Sequence, residues 1–168
     1  MFARQAVYPI AIAVLLASCD GSQVDQPNLV EAAEQSTEPA LQPTGPVTDA
    51  ADIFDATQER RLREKLGRYN VSARHPIVIA SVPSMQGQPA QKFADDLASR
   101  WKVGQDDRGV FILIALAERS MWISVADGTL PVLPDTRTQD IVDQTLPLFK
   151  RGEFYKGADA AVDALTRV

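Results

Sequence analysis

The spacing of apolar residues predicts helices that alternate with strands from residue 55 to the end of the chain. Four stretches repeat apolar side chains every three or four residues, as helices packed on one face do: 62–73, 90–101, 141–149 and 158–165. Asp55 followed by Gln58 matches a capping box, which places the start of the first helix there. Pro147 removes one backbone hydrogen bond from the third helix and predicts a kink or an early end.

Three apolar runs between these helices predict β-strands: 77–82, 110–117 and 121–125. The second run has no polar alternation, which fits a strand covered on both faces. Glu118 and Arg119 separate the last two runs and predict a hairpin. The first two runs and the helix between them form a parallel crossover, for which a right-handed connection is the rule. The predicted fold class is therefore α/β: a three-layer α/β/α sandwich whose small mixed sheet combines a parallel crossover with one hairpin.

The net negative charge of the chain comes from residues 20–54, before the first predicted helix. Residues 20–54 contain seven acidic side chains and no Lys or Arg, whereas residues 55–168 contain sixteen basic and fifteen acidic side chains. Residues 20–44 also lack aromatic side chains, and such a composition cannot bury enough apolar surface to offset the entropy of ordering. We therefore expect a disordered acidic tether over 19–44 and one domain over 45–168. The near neutrality of that domain argues against nucleic acid as a partner.

The first helix carries a cluster of basic side chains: Arg60, Arg61, Arg63, Lys65 and Arg68. Leu62 and Leu66 occupy its apolar face, so the charges fall on the other side, interleaved with acidic residues. The simplest interpretation is a solvated helix face. The functional alternative is contact with anionic lipid.

The first eighteen residues have the layout of a secretory signal. Arg4 precedes an apolar run over 6–16 that is too short to span a bilayer. The string Leu16-Ala17-Ser18-Cys19 resembles the signal box of bacterial lipoproteins, in which the chain is cut before the cysteine and the cysteine is acylated, as with palmitate. This resemblance implies a signal peptide over 1–18, an anchor at Cys19 and a cell-envelope location facing the periplasm. Asp20 resembles an inner-membrane retention signal. The alternative is an ordinary signal peptide or a weak transmembrane anchor.

Three local strings, in this order, resemble the TPM-domain family. They are Gly45-Pro46-Val47-Thr48-Asp49; Trp101-Lys102-Val103-Gly104 followed by Asp106-Asp107-Arg108-Gly109-Val110; and Leu146-Pro147-Leu148-Phe149 with Gly152, Tyr155 and Gly157. The resemblance covers about residue 45 to the end. It implies a TPM-like fold and a role as an accessory, assembly or repair factor of a membrane complex. Divalent-metal binding and phosphatase activity have also been attributed to members of this family.

The resemblance places the candidate metal ligands in loops at the strand ends: Asp106, Asp107 and Asp127, with Asp135 further off. Calcium takes six to eight oxygen ligands, so clustered aspartates are suitable chemistry. Two departures weaken this expectation, because Arg108 replaces the family's asparagine and Leu130 stands where its glutamate is expected. The alternative is that Asp106 and Asp107 pair with Arg108 or cap the start of the strand. No cofactor is expected apart from calcium at these aspartates.

Other catalytic patterns are incomplete. Asp127-Gly128-Thr129 resembles half of the aspartate-dependent phosphatase motif, but the nucleophile position is Val125. His75 is the single histidine, which excludes a multi-histidine metal site, and its place at a strand start predicts a surface or capping role.

These observations favour a non-enzymatic, membrane-tethered binding module. Its expected partners are the membrane, through lipidated Cys19, and an unidentified membrane protein complex. The alternative is a divalent-metal-dependent hydrolase of phosphate esters that uses Asp106, Asp107 and Asp127. A third possibility, assistance to the folding of a neighbouring membrane protein, is not separable from the first by sequence.

Overall fold

The structure is a computed structural model that describes residues 41–104 and 106–167. Its elements, in chain order, are β1 (Val47–Asp49), α1 (Ala56–Ser72), β2 (Ile77–Val82), α2 (Ala90–Arg100), β3 (Val110–Ala115), β4 (Ser120–Val125), a 3-10 turn (Asp127–Thr129), α3 (Asp135–Lys150) and α4 (Phe154–Leu165). The predicted signal peptide and Cys19 lie outside the described residues. None of the helices in the described part of the chain has the length and apolarity needed to cross a bilayer.

The sheet is mixed, as the sequence predicts. Its strands lie in the order β1-β2-β3-β4; the first three are parallel and β4 is antiparallel to β3. All six residues of β3 are buried, because helices cover both faces of this central strand. The hairpin turn is longer than expected: Ala115 pairs with Ser120, so four residues connect the strands, and Arg119 adopts a left-handed φ of 47°.

Helices α1, α3 and α4 cover one face of the sheet, and α2 covers the other. This arrangement is the predicted α/β/α sandwich. Leu66 of α1 packs in the same cluster as Ile79 of β2. Leu97 of α2 packs instead with Ala80, on the opposite face of that strand.

The two parallel crossovers, β1-α1-β2 and β2-α2-β3, have opposite hands. Both move one strand further across the sheet in the same direction, but α1 and α2 lie on opposite faces. One of the two therefore departs from the right-handed rule.

Helix α1 begins where the capping box predicts. The Asp55 carboxylate accepts hydrogen bonds from the backbone N–H groups of Thr57 (2.8 Å) and Gln58 (2.9 Å), and the Gln58 side chain accepts one from the Asp55 N–H (3.1 Å). These bonds satisfy donors that the first turn of a helix leaves unpaired.

Helix α3 is longer than the apolar spacing indicates. It starts at Asp135, directly after Pro134, and continues through Pro147 to Lys150. Of the two expected effects of Pro147, a kink or an early end, the early end is wrong, because the helix continues past this residue. Its buried residues, Thr138, Ile141, Thr145 and Phe149, form one continuous face, so packing onto the sheet offsets the lost backbone bond.

The segment before β1 contacts the domain ahead of the predicted boundary at residue 45. Leu41 packs against the apolar cluster on the α2 face, and its carbonyl oxygen accepts a hydrogen bond from Trp101 Nε1 at 2.7 Å. The Thr44 N–H donates to Thr48 Oγ1 of β1 at 3.0 Å. Between Leu41 and β1 the chain therefore runs from the α2 face of the sheet to its β1 edge.

Candidate functional site

Two loops meet at one end of the strands, where β3 begins and β4 ends. The first precedes β3 and carries Asp106, Asp107 and Arg108; the second is the 3-10 turn Asp127–Thr129. Because Val110 pairs with Val125 in the antiparallel ladder, the segments flanking these two residues must lie side by side. We call this region the acidic edge.

Backbone hydrogen bonds join the two loops. The Gly109 N–H donates to Thr129 Oγ1 at 3.0 Å, and the Ala126 N–H donates to the Gly109 carbonyl at 3.0 Å. Thr129 is only 1% exposed, so loss of the first bond would leave a buried N–H unpaired. The loop turns through left-handed residues, Gly104 at φ 83° and Asp107 at φ 59°.

Glycines allow the two loops to approach closely. A Cβ on Gly104 would lie 2.9 Å from the Cβ of Ala126. A Cβ on Gly128 would overlap the Asp107 carbonyl oxygen and lie 2.9 Å from Asp107 Oδ2. Real Cβ atoms do not come this close to their neighbours, so both positions need glycine for steric reasons. The residues that suggest a functional loop in the sequence therefore form a packed junction.

The candidate metal ligands share this edge but do not form a ligand set. Asp106, Asp107 and Asp127 are all exposed. Among the described residues, no group of three or more His, Cys, Asp or Glu side chains is arranged to hold a metal. Asp107 is turned toward Gly128. Calcium takes more oxygens than this arrangement brings together, so these residues do not fit the ion. The metal assignment remains a prediction from the sequence.

Arg108 does not neutralise the acidic edge through an ion pair. It is exposed and has no carboxylate oxygen within 4.0 Å in the described part of the chain. The alternative that Asp106 or Asp107 pairs with Arg108 is therefore not seen in this structure. A fixed positive charge beside the three aspartates opposes cation binding.

His75 is buried, contrary to the surface role that the sequence suggests. It is 8% exposed, and its Nε2 shares a hydrogen bond of 2.6 Å with the Tyr69 hydroxyl. The two rings meet edge to face with centroids 5.8 Å apart. Burial lowers the pKa of His75 and raises the pKa of Tyr69, which favours neutral forms of both. The pair fastens the end of α1 to the start of β2.

Two carboxylates at the opposite end of the strands have structural roles that sequence reasoning missed. Asp49 accepts hydrogen bonds from the N–H groups of Ile53 (3.2 Å) and Phe54 (2.8 Å), and from the Ser81 hydroxyl. Its place directly after Val47 and Thr48, before a turn, is the signal that could have indicated an N–H acceptor.

Glu118, the second of these carboxylates, holds the loop after β2. It accepts hydrogen bonds from the Ser84 hydroxyl (2.8 Å) and the Met85 N–H (2.9 Å). Burial raises the pKa of Glu118, but these bonds and one from its own backbone outweigh burial and hold the pKa below its usual value. Its partners lie more than thirty residues away in sequence, so local pattern could not reveal them.

A known protein family and solved structures match this chain. The family model of the TPM domain matches residues 47–168. The chain belongs to the TPM-domain family. Among curated proteins, no match was found.

Solved TPM-like structures share the fold. The N-terminal domain of a P. gingivalis protein, determined by solution NMR, has a TM-score of 0.68 and 25% identity, and the alignment covers 74% of this chain and 81% of that one. The N-terminal domain of a Corynebacterium glutamicum protein, also determined by solution NMR, has a TM-score of 0.61 at 12% identity, with 74% and 79% covered. The second comparison shows the fold alone.

Residues of the TPM motifs found in the sequence have identifiable structural roles. Trp101 packs edge-on against Phe111, with ring centroids 5.7 Å apart, and bonds the Leu41 carbonyl. Gly152, at φ 77°, turns the chain between α3 and α4, and Gly157 lies against the ring of Phe149. In this TPM domain Trp101 and Gly157 serve packing, whereas Gly152 serves a turn.

Proposed function

We propose that this TPM protein is a lipid-anchored protein of the bacterial cell envelope. Support comes from the apolar run over 6–16 and the string Leu16-Ala17-Ser18-Cys19, which resembles a lipoprotein signal box. An acyl group on Cys19 would hold the protein at the membrane, since each buried methylene contributes about 0.8 kcal/mol. Asp20 favours the inner membrane, with the domain facing the periplasm.

We further propose that the TPM domain acts as a non-enzymatic binding or accessory module for a membrane protein complex. The observation that carries this proposal is the packed junction at the acidic edge. Gly128 lies against Asp107 there, and the three aspartates do not form a group that could hold a metal. A hydrolytic metal centre needs ligands that converge and an open position for water. A surface that contacts another protein needs neither.

Replacement of Cys19 by serine tests the anchor. We expect the wild-type protein to sediment with membranes and the Cys19→Ser variant to appear in the soluble fraction, because the only acceptor for the acyl group is lost. The measurement is fractionation of cells followed by immunoblotting. Ser22→Ala, three residues further on, is the matched control and should remain with the membranes. A Cys19→Ser protein that stays in the membrane would instead indicate an uncleaved anchor.

The same preparations separate a binding module from the alternative hydrolase. With p-nitrophenyl phosphate and added calcium or magnesium, we expect wild type and Asp107→Ala to hydrolyse the substrate at the same background rate. A wild-type rate that Asp107→Ala abolishes would favour the divalent-metal-dependent phosphatase. That result would leave the anchor intact, so the two parts of the proposal fail separately.

A further inference from the structure

We propose that the exposed side of α1 is a contact surface for anionic phospholipid headgroups. The surface consists of three exposed arginines of α1, Arg60, Arg61 and Arg68, and is called here the α1 basic face. The inference rests on the proposed lipid anchor in one respect: the anchor is what would bring the domain close to a bilayer. The headgroup contact itself is a property of the folded domain.

Ion pairs neutralise the basic side chains at the borders of α1 and leave its outer side positive. Lys65 lies 2.5 Å from Asp159 and 2.7 Å from Asp163 of α4. Arg63 lies 2.6 Å from Glu59. By contrast, two arginines of α1 have no carboxylate within 4.0 Å in residues 41–104 and 106–167: Arg61 and Arg68. These two retain their charge for an external anion.

Helical geometry places the free arginines together. Leu62 and Leu66 are buried against the sheet, which fixes the side of α1 that faces solvent. Arg61 and Arg68 are seven residues apart in sequence, about two helical turns, and therefore lie on the same side. Glu64 is the acidic residue between them, and its nearest basic atom, on Arg60, is 4.0 Å away. The α1 basic face therefore keeps a net positive charge.

The segment that enters β1 contacts α1, because Arg63 Nη2 donates to Thr44 Oγ1 at 3.5 Å and to the Val47 carbonyl at 3.4 Å. Three residues earlier, Leu41 lies on the α2 face of the sheet. As a coil, the 22 residues from 19 to 40 would span about 28 Å. A tether of this length would let α1 reach the headgroups, where each arginine raises binding to an anionic surface about fivefold.

The test is flotation of the domain with vesicles, without its anchor. Residues 41–168 are a suitable fragment because the matching domains of two relatives were solved on their own. We expect binding to vesicles of equal parts phosphatidylglycerol and phosphatidylcholine, none to pure phosphatidylcholine, and release by salt. The double variant Arg61→Gln/Arg68→Gln should bind about 30-fold more weakly. Circular dichroism and thermal melting check that the variant is folded.

The matched control removes the same charge from the other layer of the sandwich. Lys92→Gln/Arg100→Gln changes two exposed cations on α2, across the sheet from α1, and should bind as wild type. Equal losses in both double variants would indicate a general charge effect and overturn the assignment to α1. No binding at low salt would also overturn it. Membrane release of Cys19→Ser would stand in either case, so the anchor and the headgroup contact are tested independently.

The acidic tether is the competing occupant of the α1 basic face. Residues 20–40 carry five acidic side chains and no basic one. If a chain of residues 20–168 loses the vesicle binding that residues 41–168 show at physiological salt, the tether covers the face and the lipid assignment is wrong. Equal binding by the two chains supports the assignment.

Discussion

Gly128→Ala is expected to destabilise the domain by about 3 kcal/mol. Its new Cβ would overlap the Asp107 carbonyl oxygen, which is backbone and cannot rotate away. The loop before β3 must therefore shift, and the hydrogen bond from Gly109 N–H to Thr129 Oγ1 would be lost. The measurement is urea denaturation, with a fall in melting temperature of roughly 10 °C as a second readout.

The control for Gly128→Ala is its exposed neighbour, Asp127→Ala. Asp127 makes no side-chain hydrogen bond or ion pair with the described residues, so its replacement should change stability by less than about 0.5 kcal/mol. If Gly128→Ala melts with the wild type, the loops do not pack as closely as the structure indicates, and the acidic edge is open enough to accept ligands.

Replacement of two helical glycines by alanine is expected to change the stability of the protein in opposite directions. Gly157 of α4 faces Phe149, whose ring carbons would lie 2.7, 2.8 and 3.1 Å from an added Cβ. Phe149 is fully buried and cannot move aside, so overpacking costs about 1–3 kcal/mol. The better helix propensity of alanine offsets about 1 kcal/mol of the overpacking cost. Gly157→Ala should therefore be less stable than wild type by up to about 2 kcal/mol.

Gly67 of α1 supplies the matched case. Apart from its chain neighbours and the backbone of its own helix, an added Cβ there would have no atom within 4 Å, so only the propensity gain remains. We expect Gly67→Ala to stabilise the protein by up to about 1 kcal/mol. Both variants are compared with wild type by urea denaturation. Equal shifts for the two would mean that the contact between α4 and the Phe149 ring does not determine the outcome.

The elements that sequence predicted best are those with strong local signals. The unbroken apolar run of β3 predicted a strand covered on both faces, and the capping box at Asp55 and Gln58 placed the start of α1. Strand β1 was not predicted, because three residues carry no periodicity. Its identity depends on pairing with Ile79–Ser81, a tertiary contact. The first turns of α3 were missed because they are polar and its apolar face begins later.

The candidate site shows the same limit. The family resemblance placed Asp106, Asp107 and Asp127 in loops at strand ends, and the pairing of Val110 with Val125 brings these loops together in the structure. Sequence could not tell whether carboxylates converge or turn away, because that depends on φ angles and on contacts such as Asp107 with Gly128. The burial of His75 was missed for a related reason: its Tyr69 partner lies on a different element and is recognised only in three dimensions.

A calcium titration of residues 41–168, followed by thermal melting, tests most directly the claim that the acidic edge is a packed junction in a binding module. Wild type, Asp107→Ala and Asp140→Ala, an exposed aspartate of α3, would be compared. We predict no change in melting temperature for any of them at millimolar calcium. An ion bound at a hundredfold excess over its dissociation constant would stabilise the folded state by about 2.7 kcal/mol. A saturable rise that Asp107→Ala alone abolishes would contradict the account and indicate a metal centre.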